Sequence, residues 1–404
     1  MDLGFERAGF DVRLAIDLDD AARKTYEAHH NGTVLPGDLS RMSAKQIGDE
    51  WDKISREPPI GIIGGPPCQY FSAANRHSKE DDPRRDLPRH YAEIIRGLNR
   101  RYGLYFFVFE NVVGLTQTAH KGDYAAFLAL FEGAGFRCFK QVLDAQHFGV
   151  PQIRPRVFVV GLNPAKWDRG CDFQPPGATR KKPLTVASVL NRVRRPPRFF
   201  ERGLTPEELA KDYHPNHWTM QPRSKKFKEK TLTDWATKAR SFRVLDRSKP
   251  SWTVAYGHRE IHVHPDGKRR VSVLEAMLFQ GFDKEYVLHG NLSEQVRQVS
   301  DAVPPPLAEA VARAVAVSLH SASTPQMNLE AERLLMEAAV DKPVVQIMLE
   351  GETVEAATQA FKVAGRKLGL RVDVRADGSH HLFVKAVPRR PRNSRRKEPP
   401  ALAA

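Results

Sequence analysis

Apolar and polar stretches alternate along residues 1–163 in a way that predicts strands and helices in turn. Short apolar runs are typical of buried strands, and apolar positions that recur every three to four residues are typical of amphipathic helices. By these criteria we expect strands at 12–16, 60–63, 104–109, 137–143 and 157–161, and helices at 18–29, 88–99 and 124–133. This order predicts the α/β class, with a mostly parallel, Rossmann-like sheet and helices on both faces.

Beyond Asn163 the pattern changes, and this change divides the rest of the chain. Residues 164–242 are rich in Pro, Arg and Lys and predict a small irregular domain, whereas regular patterning returns over 243–320, with helices at 271–279 and 306–319. A linker is predicted at 321–328 and a small α/β extension at 329–387, with helices at 329–340 and 353–368, a strand at 344–349 and a hairpin of 370–374 and 381–386. The basic residues 388–404 are predicted to be disordered.

The charge of the chain points to a polyanionic partner, most simply nucleic acid. The 404 residues carry a formal net charge of +15, of which part belongs to the basic tail. Between residues 223 and 249, Phe227, Trp235 and Phe242 are interleaved with basic residues. This pattern suits phosphate contact and base stacking, and it is equally consistent with a solvated charged loop.

Composition also narrows the setting. The three cysteines, Cys68, Cys138 and Cys171, are far apart and form no metal-ligand pattern, so we expect free thiols in a reducing compartment and no metal. No apolar run reaches the roughly 18 residues that a membrane span needs. We therefore expect a cytoplasmic protein of two or three domains, acting as a monomer away from membranes.

One run stands out chemically, Gly64-Gly65-Pro66-Pro67-Cys68-Gln69. It follows the predicted strand 60–63, and strand ends in α/β sheets are where active sites collect. Glycines permit tight backbone paths and prolines fix φ, so this run can hold the thiol of Cys68 in one pose. Cys68 is a candidate nucleophile, although a free cysteine in such a turn is more often a small buried apolar residue.

Further motifs follow Cys68 in a fixed order. They are Glu110-Asn111-Val112 after the strand 104–109, Gln152-Ile153-Arg154-Pro155-Arg156 before the strand 157–161, Arg270-Val271-Ser272-Val273 with Glu275-Ala276, Phe279-Gln280-Gly281-Phe282, and Ala302-Val303-Pro304-Pro305. Taken together, this ordered set resembles the cytosine-5 DNA methyltransferases of bacterial and phage type, over nearly all of residues 1–320. The resemblance implies that residues 164–242 occupy the place of the target-recognition domain.

The chemistry of this reaction suits the residues present. C5 of cytosine is a poor nucleophile, so a thiolate must first add to C6, which requires an acid near N3 and donors near O2. By resemblance Cys68 is the nucleophile, Glu110 acts at N3, and Arg154 and Arg156 order the base. Taken alone, Glu110 could instead stabilise a helix N-terminus, and the arginines could be surface residues. His147 is expected to be structural rather than a partner of Cys68.

The methyl donor implied by the resemblance is S-adenosylmethionine. Cofactor-binding positions map onto Asp17 at the ribose, Asp38 at the adenine amine, and Leu18, Pro67, Leu87, Asp301, Ala302 and Val303. The chain departs from the family in two places. Residues 1–10 match only the helix after the family's first strand and glycine-rich cofactor loop, and Ser300-Asp301 stands where Gly-Asn is usual.

The substrate implied is double-stranded DNA, from which the target cytosine must be flipped out. Gln69, Ser72 and Gln152 map onto DNA-binding positions. We favour an active methyltransferase, in a restriction-modification system with a cognate endonuclease or as an orphan enzyme, whose true start lies upstream of Met1. Two alternatives stay open: a truncated, catalytically impaired DNA-binding protein, and a tRNA cytosine-5 methyltransferase, although Cys138-Phe139-Lys140 lacks the threonine of that branch's signature.

Overall fold

The computed structural model of the protein describes residues 1–66, 86–117, 120–167, 171–223, 227, 242–254, 262–322, 345–348, 358–359, 361–362, 370–377 and 381–388. The chain divides into two compact units. The first comprises Met1–Lys166 and Gly170–Ser318, and the second consists mainly of Leu319–Ala404. The boundary between units near Ser318 lies close to the predicted linker, and the finer domain boundaries of the sequence analysis stay predictions.

Helices and strands alternate over the first part of the chain, as the apolar pattern predicts. The helices are α1 (Asp2–Arg7), α2 (Asp20–His29), α3 (Ala44–Ile54), α4 (Leu87–Tyr102) and α5 (Lys121–Gly133). The strands are β1 (Leu14–Asp17), β2 (Thr33–Pro36), β3 (Gly61–Gly64), β4 (Phe106–Val112), β5 (Arg137–Asp144) and β6 (Pro155–Leu162). The α/β class is therefore confirmed.

The sheets are mixed, which corrects the expectation of a mostly parallel sheet. Strands β1 and β2 form a parallel pair, and a four-stranded sheet has the order β3-β4-β6-β5. In that sheet β3 is parallel to β4, while β6 runs antiparallel to both β4 and β5. The reason lies in the connection between β5 and β6, because it holds only a short 3₁₀ turn (Ala145–Phe148) and a parallel pair needs a crossover of a dozen or more residues.

A hydrophobic core holds β3 and β4 against the neighbouring helices. It includes Ile95 and Leu98 of α4, Phe107 and Phe109 of β4, and Phe131 of α5, each at most 5% exposed. The rings of Phe107 and Phe131 lie 4.6 Å apart between centroids. Because β4 is covered in this way, six of its seven residues are buried and its carboxyl end is fixed in position.

The later part of the first unit is built from short elements around a second core. These elements are α6 (Val186–Leu190), β7 (Arg198–Phe199), α7 (Pro206–Asp212), β8 (Trp218–Thr219), β9 (Arg243–Val244), β10 (His262–Val263), α8 (Val273–Phe279), α9 (Leu292–Asp301) and α10 (Pro305–Ala322). Capping boxes begin α7, α8 and α9, where Ser, Thr or Asn is followed three residues later by Glu. The core joins α6, α8 and α9 through Val189, Met277 and Val296.

In the described residues one helical stretch, Leu292–Leu319, is long and apolar enough by length and composition to span a membrane. Over half of it is buried within the protein, and Ala302 to Pro304 separate it into α9 and α10. Its apolar face includes Leu307, Val311 and Val315, all at most 1% exposed. Such burial is typical of a core helix rather than a lipid-facing one.

The described strands of the second unit form one antiparallel sheet. They are β11 (Val345–Met348), β12 (Leu370–Asp377) and β13 (His381–Pro388), in the order β11-β13-β12. The pairing of β12 with β13 is the hairpin that the sequence predicts. Val384 is 1% exposed and Phe361, in a described helical segment, is 4% exposed.

Candidate active site

The parallel pairing of β3 and β4 brings two predicted motifs side by side. Gly64 is the register partner of Phe109, so Gly65 and Pro66 lie beside Glu110 and Asn111. The side-chain amide of Asn111 donates to the carbonyl of Pro66 at 3.3 Å. A Cβ atom on Gly65 would lie 2.9 Å from Oε2 of Glu110, so a larger residue here would require the Glu110 carboxylate to move. The backbone that leads into residue 67 is thus held against the Glu110 carboxylate.

Glu110 is paired with Arg156. In the antiparallel register Glu110 faces Phe158, so Arg156, two residues away, shares the same face of the sheet. Nε of Arg156 lies 3.1 Å from Oε1 of Glu110, and both side chains are close to 90% buried. Burial raises the pKa of the Glu110 carboxyl, and the guanidinium groups of Arg156 and Arg154 lower it in opposition. A carboxyl whose pKa is raised in this way holds a proton to higher pH than an exposed glutamate does.

Arg154 does not share the position of Arg156. Its guanidinium donates to the carbonyls of Ser300 at 2.7 Å, Val254 at 2.8 Å and Ala302 at 3.0 Å, and the residue is only 2% exposed. These bonds tie the start of β6 to the end of α9. The geometry is that of a positioning residue, and a catalytic role for Arg154 stays a prediction.

Gln152 is enclosed in the same way. The residue is fully buried, its amide nitrogen donates to Phe279 and Gln280, and its amide oxygen accepts from the backbone N–H of Val254. In this conformation its polar atoms bind the protein itself. A contact between Gln152 and DNA therefore stays a prediction, and the bonds shown place Gln152 in the support of the site.

Two predicted cofactor residues from opposite ends of the sequence meet. Asp17 ends β1 and Asp301 ends α9, and the pKa of Asp301 is raised by burial and further by the carboxylates of Asp17 and Asp19. Burial also raises the pKa of Asp17, although both residues keep solvent-accessible surface. The two carboxyl groups are therefore near enough to interact electrostatically. Arg297 forms an ion pair with Asp19 and so joins α9 to the start of α2.

The residues around Asp17 suit an adenosine cofactor in their chemistry. A carboxylate at a strand end suits ribose hydroxyls. Next to Asp17, Leu18 is 70% exposed, so its side chain is open to contact with a ligand. Ala302 and Val303 follow Asp301 directly, with Val303 7% exposed.

The other predicted site residues are scattered or lie outside the described part. The carboxylate of Asp38 accepts hydrogen bonds from Ser40, which lower the pKa of Asp38, and Leu87 is the first residue of α4. Four predicted residues lie outside the described residues: Pro67, Cys68, Gln69 and Ser72. The roles assigned to them stay predictions.

Asn111 and Gly65 also help to build the site, although the sequence predicts no role for them. Both belong to the motifs around Cys68 and Glu110, but the hydrogen bond of Asn111 and the close approach at Gly65 depend on the register of β3 with β4. Residues 251–254 are a third contributor. They pair with residues 151–153, and nothing in their own pattern indicates this partner.

Known proteins are similar to this chain in sequence and in fold. The family of C-5 cytosine-specific DNA methylases matches residues 1–316. The Type II methyltransferase M.NmeDI of Neisseria meningitidis serogroup C is 31% identical over 336 residues, covering 75% of this chain and 78% of its own. The Type II methyltransferase M.MthTI of Methanothermobacter thermautotrophicus is 29% identical over 337 residues, covering 78% and 93%.

A solved structure agrees at the level of the fold. The crystal structure of a putative DNA modification methyltransferase encoded within a prophage of E. coli superposes with a TM-score of 0.61 at 23% identity, covering 78% of this chain and 95% of its own. The family match extends over the strands that carry Glu110 and Arg156 and over the helix end that carries Asp301. The chain therefore belongs to the C-5 cytosine-specific DNA methylase family and is a DNA cytosine-5 methyltransferase.

Proposed function

We propose that the chain methylates a flipped-out cytosine through a covalent bond between Cys68 and C6. The observation that carries this proposal is the buried pair of Glu110 and Arg156 beside Gly65 and Pro66, on the backbone that leads into Cys68. A carboxyl with a raised pKa at this place can serve the base, and Cys68 follows Pro66 by only two residues in the sequence.

The proposed reaction begins with addition of a thiolate to the cytosine ring. The thiolate of Cys68 forms a bond to C6, and the C5–C6 π electrons move towards N3. Glu110, which burial keeps ready to carry a proton, donates to N3 and stabilises the negative charge that develops there. The electron pair at C5 would then form the bond to the methyl group, and the sulfonium–methyl bond of the donor would break to leave a neutral thioether. A water molecule takes the C5 proton, the C–H electrons re-form the C5–C6 double bond, the bond between sulfur and C6 breaks to regenerate the thiolate, and N3 returns its proton to Glu110.

Arg156 is proposed to orient Glu110 and to donate near O2. Its Nε holds Oε1 of Glu110, while one of its terminal nitrogens is bonded to the carbonyl of Pro155. A guanidinium has five N–H donors, so donors are left for a base oxygen. Arg154 is proposed to position β6 through its three carbonyl contacts, as described above.

We propose that Asp17, Leu18, Asp301, Ala302 and Val303 hold S-adenosylmethionine, with Asp38, Pro67 and Leu87 completing the site. When bound, this cofactor supplies the methyl group. The Asp17 carboxylate would accept hydrogen bonds from ribose hydroxyls, and Leu18 would lose its exposed surface.

The biological setting is also a proposal. The named relatives are Type II methyltransferases, and the chain carries a formal net charge of +15, which favours a DNA substrate. We propose a bacterial or phage enzyme that acts in the cytoplasm as a monomer on double-stranded DNA, either beside a cognate restriction endonuclease or as an orphan methylase.

Covalent trapping tests the mechanism. Unmethylated phage λ DNA, amplified with 5-fluorocytosine, is incubated with the protein and S-adenosylmethionine, because fluorine at C5 cannot leave as a proton. We expect a denaturation-resistant protein–DNA complex with the wild-type chain and none with Cys68→Ser. Cys138→Ser is the matched control, since burial raises the pKa of the Cys138 thiol to about 12 and removes it as a nucleophile. Trapping by Cys68→Ser would refute the assignment.

A further inference from the structure

Trp252 is a large aromatic side chain that the structure leaves half exposed on a rigid segment. The residue is 49% exposed, while Ser251 and Val254 on either side are fully buried. A single exposed apolar residue is ordinary on a protein surface. Trp252 differs because its backbone is fixed on both sides and because of its neighbour.

Residues 251–254 are hydrogen-bonded to residues 151–153, which precede β6 and Arg156. Ser251 pairs with Gln152 as a β-bridge, and the N–H of Ser251 donates to Pro151 at 2.9 Å. The hydroxyl of Thr253 donates to the carbonyl of Ile153 at 2.7 Å. These bonds fix the backbone around Trp252, whose side chain is half exposed.

The guanidinium of Arg243 lies over the ring of Trp252, with 5.5 Å between its central carbon and the ring centroid. Arg243 is exposed at the start of β9, and no carboxylate of the described residues forms an ion pair with it. The nearby aromatic residues differ. Phe227 is 9% exposed and packs on Phe242 at 5.1 Å between centroids, so these two rings belong to a small core.

We propose that Trp252 and Arg243 form a DNA contact beside the catalytic centre, in which the indole packs on a nucleotide and the guanidinium binds the adjoining phosphate. This inference rests on the proposed function, since it assumes that DNA enters the site of Glu110 and Arg156. Aromatic rings give stacking surface for any base, and arginine supplies the charge that the phosphate needs.

The position along the strand agrees with this contact. Ser251 is bridged to Gln152, and Arg156 lies four residues further along the same strand entry. At about 3.3 Å per residue, Gln152 is at most roughly 13 Å from Arg156 along the chain. Because Trp252 adjoins the residue that pairs with Gln152, it lies within a few nucleotides of the proposed target base.

The test compares DNA binding and turnover in matched variants. Dissociation constants for duplex fragments of unmethylated λ DNA are measured over a range of salt concentrations, together with kcat and KM for DNA. Trp252→Ala is expected to raise Kd and KM for DNA about 10-fold with little change in salt dependence. Trp252→Phe, which keeps an aromatic ring, is expected to bind DNA nearly as tightly as the wild type. Arg243→Gln is expected to reduce the salt slope by about one, whereas Arg243→Lys keeps it.

Fluorescence supplies a readout that a merely structural role would not move. DNA should quench part of the tryptophan emission of the wild type, and this quenching should vanish in Trp252→Phe. Trp51→Phe is the control and should keep it, because Trp51 lies on α3, where its indole donates to the carbonyl of Glu57. Unchanged Kd, KM and quenching in the Trp252 variants, with normal trapping by the wild type, would overturn the inference alone. Failure of trapping by the wild type would instead count against the proposed function.

Discussion

The two arginines that flank Pro155 give the sharpest prediction, because they stand two residues apart and should fail in different ways. Arg154→Met should mainly lower the free energy of unfolding, whereas Arg156→Met should mainly lower the rate of covalent trapping. Methionine keeps the apolar part of either side chain and removes only the guanidinium. The comparison therefore isolates what each charge does.

The magnitudes follow from the contacts. Arg154 gives three hydrogen bonds of 2.7, 2.8 and 3.0 Å to buried carbonyls. A hydrogen bond that involves a charged group contributes about 1.5–3 kcal/mol, and partial relaxation brings the expected loss for Arg154→Met to about 4 kcal/mol. Arg156 contributes one ion pair to Glu110, and Glu110 can take up a proton when that pair is lost. We therefore expect a loss of about 1 kcal/mol for Arg156→Met.

The assays are urea unfolding followed by tryptophan emission, and single-turnover trapping of 5-fluorocytosine DNA on protein that is verified as folded. Arg156→Met should trap about 100-fold more slowly than wild type, as expected when a donor at a developing negative charge is removed. Folded Arg154→Met should trap within about 10-fold of wild type. Equal destabilisation by both variants, or faster trapping by Arg156→Met than by Arg154→Met, would refute this division.

Four further predictions concern three carboxyl groups, of Glu110, Glu275 and Asp17, and one glycine, Gly65. Burial raises the pKa of Glu110 in the folded protein, so the wild type loses stability as pH rises through that pKa and Glu110 becomes ionised. Glu110→Gln should match the wild type near pH 4 and be more stable than it at higher pH. The difference should reach about 1.4 kcal/mol for each unit by which folding raises the pKa of Glu110. Glu275 has the opposite sign, because Arg269 lowers its pKa despite burial, and Glu275→Gln should destabilise most at neutral pH, with the difference lost as pH falls. Gly65→Ala should slow trapping at least 10-fold, since its Cβ would lie 2.9 Å from the Glu110 carboxylate. Asp17→Ala should weaken S-adenosylmethionine binding at least 10-fold by calorimetry, through the lost ribose hydrogen bonds.

Matched controls make these outcomes decisive. A Cβ on Gly122 in α5 meets nothing within 4 Å, so Gly122→Ala should leave trapping unchanged. Asp283, which is exposed and pairs with Arg7, is the control for Asp17, and Asp283→Ala should leave cofactor binding unchanged. The pH reasoning would be wrong if the two glutamine variants changed stability in the same direction with pH.

The sequence predicts elements well where an apolar stretch is bounded by glycine or polar residues. The helix expected at 124–133 is α5 (Lys121–Gly133), and the strand expected at 137–143 is β5 (Arg137–Asp144). The helix α3 (Ala44–Ile54) was not predicted, although Ser43 and Gln46 form a capping box at its start. Its apolar residues Ile47, Trp51 and Ile54 also recur at helical spacing, so both the cap and the period indicate this helix.

The site is predictable only as far as it depends on strand ends. Glu110 and Arg156 meet because they sit on hydrogen-bonded neighbours, which the motif order suggests. The separation of Arg154 from Arg156 was not predictable in the same way, because alternation along a strand places both side chains on one face. In the structure β6 begins at Pro155, so Arg154 lies before the strand and turns into the protein.

Arg154 is nevertheless part of the electrostatics of the site. Its guanidinium lowers the pKa of Glu110 on the catalytic side and the pKa of Asp301 on the cofactor side. One buried cation therefore stabilises two ionised carboxylates from distant parts of the chain, and its contacts with Ser300 and Ala302 hold those parts at a fixed distance. Loss of this charge should raise both pKa values together. A folded Arg154→Met protein should accordingly keep both Glu110 and Asp301 protonated to higher pH than wild type, which extends the alkaline limit of trapping.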